Sequence, residues 1–143
     1  MSDYREKVRP SFGIWALAVF AALSIAIAVG AAFGGNSDLI ALAISFVFFG
    51  RGLVRSTVTI TVDSENLRVD GAVLPLKYVG KVQALDVEAT RRMRGPESDP
   101  AAYMVLRGWV KTAVIVENTD SDDPVPYWFI STRKPEKLAK ALN

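Results

Sequence analysis

The chain of 143 residues contains no cysteine and no histidine. Without cysteine it forms no disulfide bond and lacks the thiolate nucleophile of cysteine-dependent enzymes. Without histidine it has no Ser-His-Asp triad, and the two absences together remove the usual ligands of zinc and haem. Carboxylate or lysine chemistry remains open, but an enzyme is the least favoured of the functions considered below.

Acidic and glycine-rich segments match no ion-binding or phosphate-binding motif either. The acidic residues of the segment 117–123 lack the glycine and the terminal glutamate of an EF-hand loop. The glycine pair at positions 34 and 35 is not followed by Lys-Ser or Lys-Thr, as a phosphate-binding loop requires. We therefore expect a solvated turn at the acidic cluster, and no metal, cofactor or catalytic residue.

Two long apolar runs occupy the first third of the chain. Residues 11–37 carry no charged side chain, and residues 14–33 would form a helix of about 30 Å, the thickness of the hydrocarbon core of a bilayer. Residues 39–54 would form a shorter helix of about 24 Å, so that Arg51 and Arg55 extend their charged ends toward the headgroups. The pattern predicts a two-helix transmembrane hairpin.

Basic residues lie outside the two predicted spans and not between them. The segments before the first span and at the end of the second carry five of them, Arg5, Lys7, Arg9, Arg51 and Arg55, whereas the connection 34–38 has none. The positive-inside rule then predicts that both termini and the soluble domain are cytoplasmic. A cleaved signal peptide is the alternative, but its apolar region would be too long, and the run 39–50 would remain unexplained.

Charge is distributed unevenly along the chain. Residues 1–55 hold five basic and three acidic side chains, whereas residues 56–143 hold twelve of each. Because the second part has no net charge, a nucleic acid is not an expected partner. We assign residues 1–55 to the membrane hairpin and residues 56–143 to one small cytoplasmic domain.

Residues 56–143 have the patterns of a mixed α+β domain. Alternating apolar and polar residues from Val58 predict a strand, Asp70-Gly71 predicts a tight hairpin, and Pro75 favours an edge strand. Asp86 is a helix cap for a helix ending near Arg94. Further strands are predicted at 109–117 and 125–131, and a C-terminal helix is predicted from residue 135.

Four segments resemble an uncharacterised family of small actinobacterial integral membrane proteins. They are residues 4–8 (YREKV), 74–80 (LPLKYVG), 88–92 (EATRR) and 126–135 (PYWFISTRKP). The resemblance implies a pleckstrin-homology-like β-barrel or sandwich, closed by a C-terminal helix and attached to two transmembrane helices in a bacterial inner membrane. It implies no activity and no catalytic residue. Domains of this kind commonly hold phospholipid headgroups or peptides, although a fold alone does not fix a function.

Six residues form a candidate contact surface for lipid or a protein partner. They are Arg91, Arg92, Arg94, Arg107, Trp109 and Lys111. Basic side chains with a tryptophan suit an anionic membrane surface. The same arginines equally suit the carbonyl end of a helix, and Trp109 equally suits a protein core, so the structural interpretation is favoured.

Small residues recur at every fourth position of the first span. They are Ala18, Ala22, Ala26, Gly30 and Gly34. Such a stripe permits close helix packing, either against the second helix of the same hairpin, which we favour, or against another protein.

Together these patterns predict a non-enzymatic inner-membrane protein that presents a small interaction domain, as an accessory or scaffold component of a membrane complex. The expected partners are the bilayer and either an unidentified membrane protein or a second copy of the chain. A module that binds anionic phospholipid headgroups is the alternative function, and an enzyme is the distant third.

Overall fold

The computed structural model describes residues 4–143 and divides them into two compact units. One unit is residues 9–57, and the other joins residues 4–8 to residues 58–143. The sequence patterns favour a boundary at residue 55 with all earlier residues in the hairpin, so the structure differs in assigning residues 4–8 to the globular unit. The helical hairpin is therefore an insertion in the globular domain, between its first and second strands.

The helical unit consists of two long apolar helices, α1 (Phe12–Phe33) and α2 (Ser37–Arg55). Their most apolar windows have mean hydropathies of 2.4 and 1.7, yet only 11% and 6% of those windows are buried. A core helix of a soluble protein would be mostly buried, whereas most of this apolar surface is exposed. The prediction of two helices apolar enough to span a membrane is confirmed.

The first sheet has four antiparallel strands in the order β1-β2-β3-β4. These strands are β1 (Tyr4–Val8), β2 (Val58–Val62), β3 (Asn66–Val69) and β4 (Ala72–Pro75). The apolar residues of β2 are buried and its threonines are half-exposed, as the alternation predicts.

A two-residue turn joins β3 to β4, and it explains why the chain has Asp-Gly there. Asp70 and Gly71 have φ angles of 52° and 88°, the left-handed conformation of a type I′ turn. The strand that follows ends at Pro75 and lies at the edge of the sheet, where a missing N–H is tolerated. Both sequence predictions for this hairpin are confirmed.

The second sheet has the order β5-β7-β8-β6, with β6 parallel to β8 and the other pairs antiparallel. Its strands are β5 (Val79–Leu85), β6 (Tyr103–Val105), β7 (Ala113–Asn118) and β8 (Tyr127–Ser131). A single 3₁₀ turn (Leu76–Tyr78) precedes β5, helix α3 (Val87–Arg94) follows it, and helix α4 (Pro135–Leu142) ends the domain.

One predicted strand begins later than its sequence suggests. The apolar run from Trp109 predicts a strand at once, but β7 starts at Ala113. The N–H of Val110 donates to the carbonyl of Arg107 over 3.0 Å, which closes a turn at Gly108 and Trp109. Trp109 therefore lies in the loop between β6 and β7.

Both sheets and α4 contribute to one main hydrophobic core. Ile60 and Leu67 from the first sheet, Val114 and Ile130 from the second, and Leu138 from α4 are fully buried in it. The predicted α+β architecture with a C-terminal helix is confirmed. Within residues 4–143, the strands form two separate four-stranded sheets and no closed barrel.

Candidate functional site

A buried carboxylate links the first strand to the far end of the chain. Strand β1 alternates in burial, so that Glu6 and Val8 face inward while Arg5 and Lys7 are exposed. Glu6 is only 7% exposed. It accepts hydrogen bonds from the Tyr4 hydroxyl over 2.7 Å, from the Thr132 hydroxyl, and from the N–H of Arg133 over 3.1 Å.

This arrangement satisfies a charge that would otherwise be costly to bury. Burial of Tyr4 and the neighbouring Glu6 carboxylate raise the pKa of the tyrosine hydroxyl. The contacts join β1 to the junction between β8 and α4, and we call this group of Tyr4, Glu6, Thr132 and Arg133 the Glu6 clasp. Three donors hold the carboxylate in place, so the Glu6 clasp fixes β1 to the end of β8.

The Glu6 clasp was missed at the sequence level, although a signal existed. Two of the four segments quoted for the family resemblance, 4–8 and 126–135, supply all of its residues. The alternation of Tyr4, Glu6 and Val8 with Arg5 and Lys7 has the period of a half-buried strand. Arg5 and Lys7 also fit the cytoplasmic flank of a membrane span, and that interpretation conceals the strand.

Helix α3 carries three of the six residues of the predicted contact surface, namely Arg91, Arg92 and Arg94. Asp86 caps the helix by accepting from the N–H of Ala89 over 2.8 Å, as predicted. Arg91 and Arg92 are exposed, and Arg92 lies 3.6 Å from the carboxylate of Glu97. An exposed pair of this kind contributes little to stability and leaves the cation accessible to solvent.

Arg94 turns instead toward the protein. Its guanidinium donates to the carbonyls of Arg107 and Val110 and to the Ser131 hydroxyl, the last over 3.2 Å. Burial lowers the pKa of Arg94. The same Ser131 oxygen accepts from the N–H of Arg107 over 3.1 Å. Arg94 therefore joins α3 and the β6–β7 loop to β8.

The remaining candidates lie in or near the β6–β7 loop. The guanidinium of Arg107 is 3.5 Å from the Asp70 carboxylate, so the turn of the first sheet is tied to this loop. Trp109 packs on the main core, and its indole N–H is buried without a hydrogen-bond partner. Lys111 is exposed. The proposed contact surface thus divides into three accessible cations, Arg91, Arg92 and Lys111, and three residues that serve the fold.

In the helical unit, the stripe of small residues lies partly against α2. Ala22 and Ala26 are 2% and 6% exposed, and Ser45 of α2 is 7% exposed. A Cβ atom at Gly30 would come within 2.8 Å of the Asp38 Cβ, so only glycine permits that approach. Gly34 has φ of 65° and begins the connection to α2. Ala22, Ala26 and Gly30 thus contribute to the contact between α1 and α2 of one chain.

The acidic cluster between β7 and β8 holds its own turn. Asp120 accepts from the N–H of Asp122, and Asp123 accepts from the N–H of Val125 and from the Asn118 side chain. Glu117 accepts from the N–H of Lys81 over 2.9 Å. Among residues 4–143, no group of three or more carboxylates is placed to hold a metal ion.

These features define an α+β domain interrupted after its first strand by an apolar helical hairpin. The chain belongs to the family described as protein of unknown function DUF3093, whose model matches residues 3–142. The predicted membership of an uncharacterised family is confirmed. No curated protein and no solved structure matches the chain.

Proposed function

We propose that α1 and α2 cross a bacterial inner membrane as a hairpin and hold a small non-enzymatic interaction domain at its cytoplasmic face. The domain is proposed to be pleckstrin-homology-like, because two four-stranded sheets share a core that a C-terminal helix completes. Its role is that of an accessory or scaffold component of a membrane complex.

The observation that carries this proposal is the pairing of β1 with β2. Val8 and Val58 are partners in the antiparallel ladder, yet α1 and α2 separate them in sequence. Both ends of the hairpin therefore enter one domain, so the chain crosses any membrane an even number of times. Two apolar, poorly buried helices match two crossings.

The orientation follows from charge. Arg5, Lys7 and Arg9 lie before α1, and Arg51 and Arg55 lie in the last turns of α2. The connection between the helices has no basic residue. Because translocated segments are poor in lysine and arginine, the domain is assigned to the cytoplasm.

A second candidate function is the binding of anionic phospholipid headgroups. Three accessible cations, Arg91, Arg92 and Lys111, favour it. Each well-placed cation contributes about 1 kcal/mol near an anionic surface. The hairpin raises the effective concentration of the domain at the bilayer, so weak contacts would suffice to orient it.

Native mass spectrometry of the full chain, extracted gently from its own membrane, tests the scaffold role. A stoichiometric protein partner, or a second copy, supports the proposal if the helical unit alone, residues 9–57, fails to retain it. Replacing Arg91, Arg92 and Lys111 by glutamine leaves this assembly intact under the scaffold proposal. A chain that carries no protein partner, and loses anionic lipid in that triple variant, supports the headgroup-binding function instead.

A further inference from the structure

The two helices α1 and α2 form an apolar groove of about 980 Å³ along one side of the hairpin. Ile14, Leu17 and Ala21 line it on α1, and Ala43, Ile44 and Val47 line it on α2. Arg51 and Arg55 line the same groove near the C-terminal end of α2. One end of the groove is thus cationic and the rest is apolar.

The length of the groove matches one leaflet of a bilayer. At about 1.5 Å per residue, Ala43 lies about 12 Å along α2 from Arg51 and about 18 Å from Arg55. The hydrocarbon part of a single leaflet is about 15 Å thick.

We propose that this groove binds one anionic phospholipid, with an acyl chain between α1 and α2 and the phosphate held by Arg51 and Arg55. These arginines are four residues apart and share a helix face. The planar guanidinium group presents several N–H donors and suits phosphate oxygens. The inference rests on the proposed membrane insertion of the hairpin.

A second groove of the same hairpin provides an internal comparison. It has a volume of about 520 Å³ and is lined by Val19, Leu23, Leu39 and Leu42 among other apolar residues, with no charged residue. Any lipid could fill it. Only the first groove combines an apolar channel with cations, which is the complement of an anionic phospholipid.

The test uses the full-length protein, purified in mild detergent, stripped of lipid and then incubated with phosphatidylglycerol or phosphatidylcholine. Native mass spectrometry counts the lipids retained. We expect one phosphatidylglycerol per chain, and a loss of about 30-fold in its affinity when Arg51 and Arg55 are both replaced by glutamine. Ala21→Leu fills the groove without changing charge and is expected to abolish the selective adduct.

Matched controls separate the groove from general effects of charge and volume. Ala28→Leu lengthens an exposed residue of α1 that lines neither groove, and Lys137→Gln with Lys140→Gln removes two exposed cations from α4. Both controls are expected to retain the lipid. Equal retention of the two lipids, or wild-type binding by the groove variants, overturns the proposal.

Two further outcomes are distinguishable. A lipid-free dimer that Ala21→Leu dissociates identifies a second copy as the occupant and overturns the lipid assignment. Extraction of membranes with alkaline carbonate tests insertion by itself. A chain released by carbonate contradicts the proposed function, whereas a retained chain without lipid selectivity contradicts the groove proposal alone.

Discussion

The buried carboxylate of Glu6 accepts a hydrogen bond from the hydroxyl of Thr132, although the two residues are 126 positions apart. Glu6 belongs to the strand before the helical hairpin, and Thr132 directly follows the last strand of the globular domain. The contact holds the first strand of the globular unit against the end of its last strand. Both ends of the hairpin are therefore fixed by the fold of the same domain.

Replacing Glu6 by alanine tests the Glu6 clasp. The change leaves the fully buried Thr132 hydroxyl and the Arg133 N–H without their acceptor, at a cost of about 1–3 kcal/mol. We expect the melting temperature of the detergent-solubilised protein to fall by about 4–8 °C for each kcal/mol lost. Lys7→Ala on the exposed side of the same strand is the control, and equal melting temperatures for the two variants would contradict the packing of β1.

Strand β1 should also stabilise the globular domain when the hairpin is removed. Val8 and Val58 pair directly, so a short Gly/Ser linker can join residues 1–8 to residues 58–143. We expect this fusion to be more stable to urea than residues 58–143 alone, because the buried Val8 by itself contributes about 1.5–3 kcal/mol.

The control for that comparison is a fusion in which residues 4–8 are shifted by one position along β1. The shift places Arg5 and Lys7 on the inner face and Glu6 and Val8 on the outer face. A shifted fusion as stable as the native one would show that β1 stabilises the domain without specific packing of its side chains.

Arg94 and Arg91 are expected to behave oppositely, although both lie on α3. Arg94→Gln removes the donors to the Arg107 and Val110 carbonyls and should lower the free energy of unfolding by about 2 kcal/mol. Arg91→Gln changes an exposed side chain and should alter the free energy of unfolding by no more than about 0.5 kcal/mol. Urea unfolding measures both values, and a larger loss for Arg91→Gln would reverse the assigned roles.

The pH dependence of stability should reveal the raised pKa of Tyr4. Its pKa in the folded state lies above the ordinary value of 10.0, so the neutral hydroxyl is favoured by folding. This contribution is complete below about pH 10 and is lost as the pH rises through the higher folded pKa. Unfolding by urea should therefore become easier with rising pH more steeply for the native chain than for Tyr4→Phe.

The two proteins differ only at position 4, so the difference between the two curves isolates the tyrosine hydroxyl. Parallel curves would show that Tyr4 is not in contact with the Glu6 carboxylate in solution.

Local features of the fold were predictable because local chemistry specifies them. The Asp70-Gly71 turn, the edge position of Pro75 and the Asp86 cap each depend on one or two residue types at a fixed position. The two apolar helices were predictable from length and composition.

Features that depend on distant partners were not predictable from the sequence. Strand β1 is only five residues long, and its partner β2 lies beyond both helices. Arg94 has the sequence context of a solvated helix end, and its acceptors come from a loop and from Ser131, 37 residues away. The apolar stretch at Trp109 suits a strand, but the turn at Gly108 removes it from the sheet.

Membrane topology is the most direct test of the account, and the native chain itself takes up no thiol reagent because it has no cysteine. Single cysteines at Asn36, in the α1–α2 connection, and at Ser121, in the exposed β7–β8 turn, are treated in intact cells with a membrane-impermeant thiol reagent. We expect labelling at position 36 and none at position 121, with both positions labelled after the cells are opened. Labelling at position 121 and not at 36 in intact cells would contradict the orientation, and labelling at neither or both would contradict the crossing of the membrane by the hairpin.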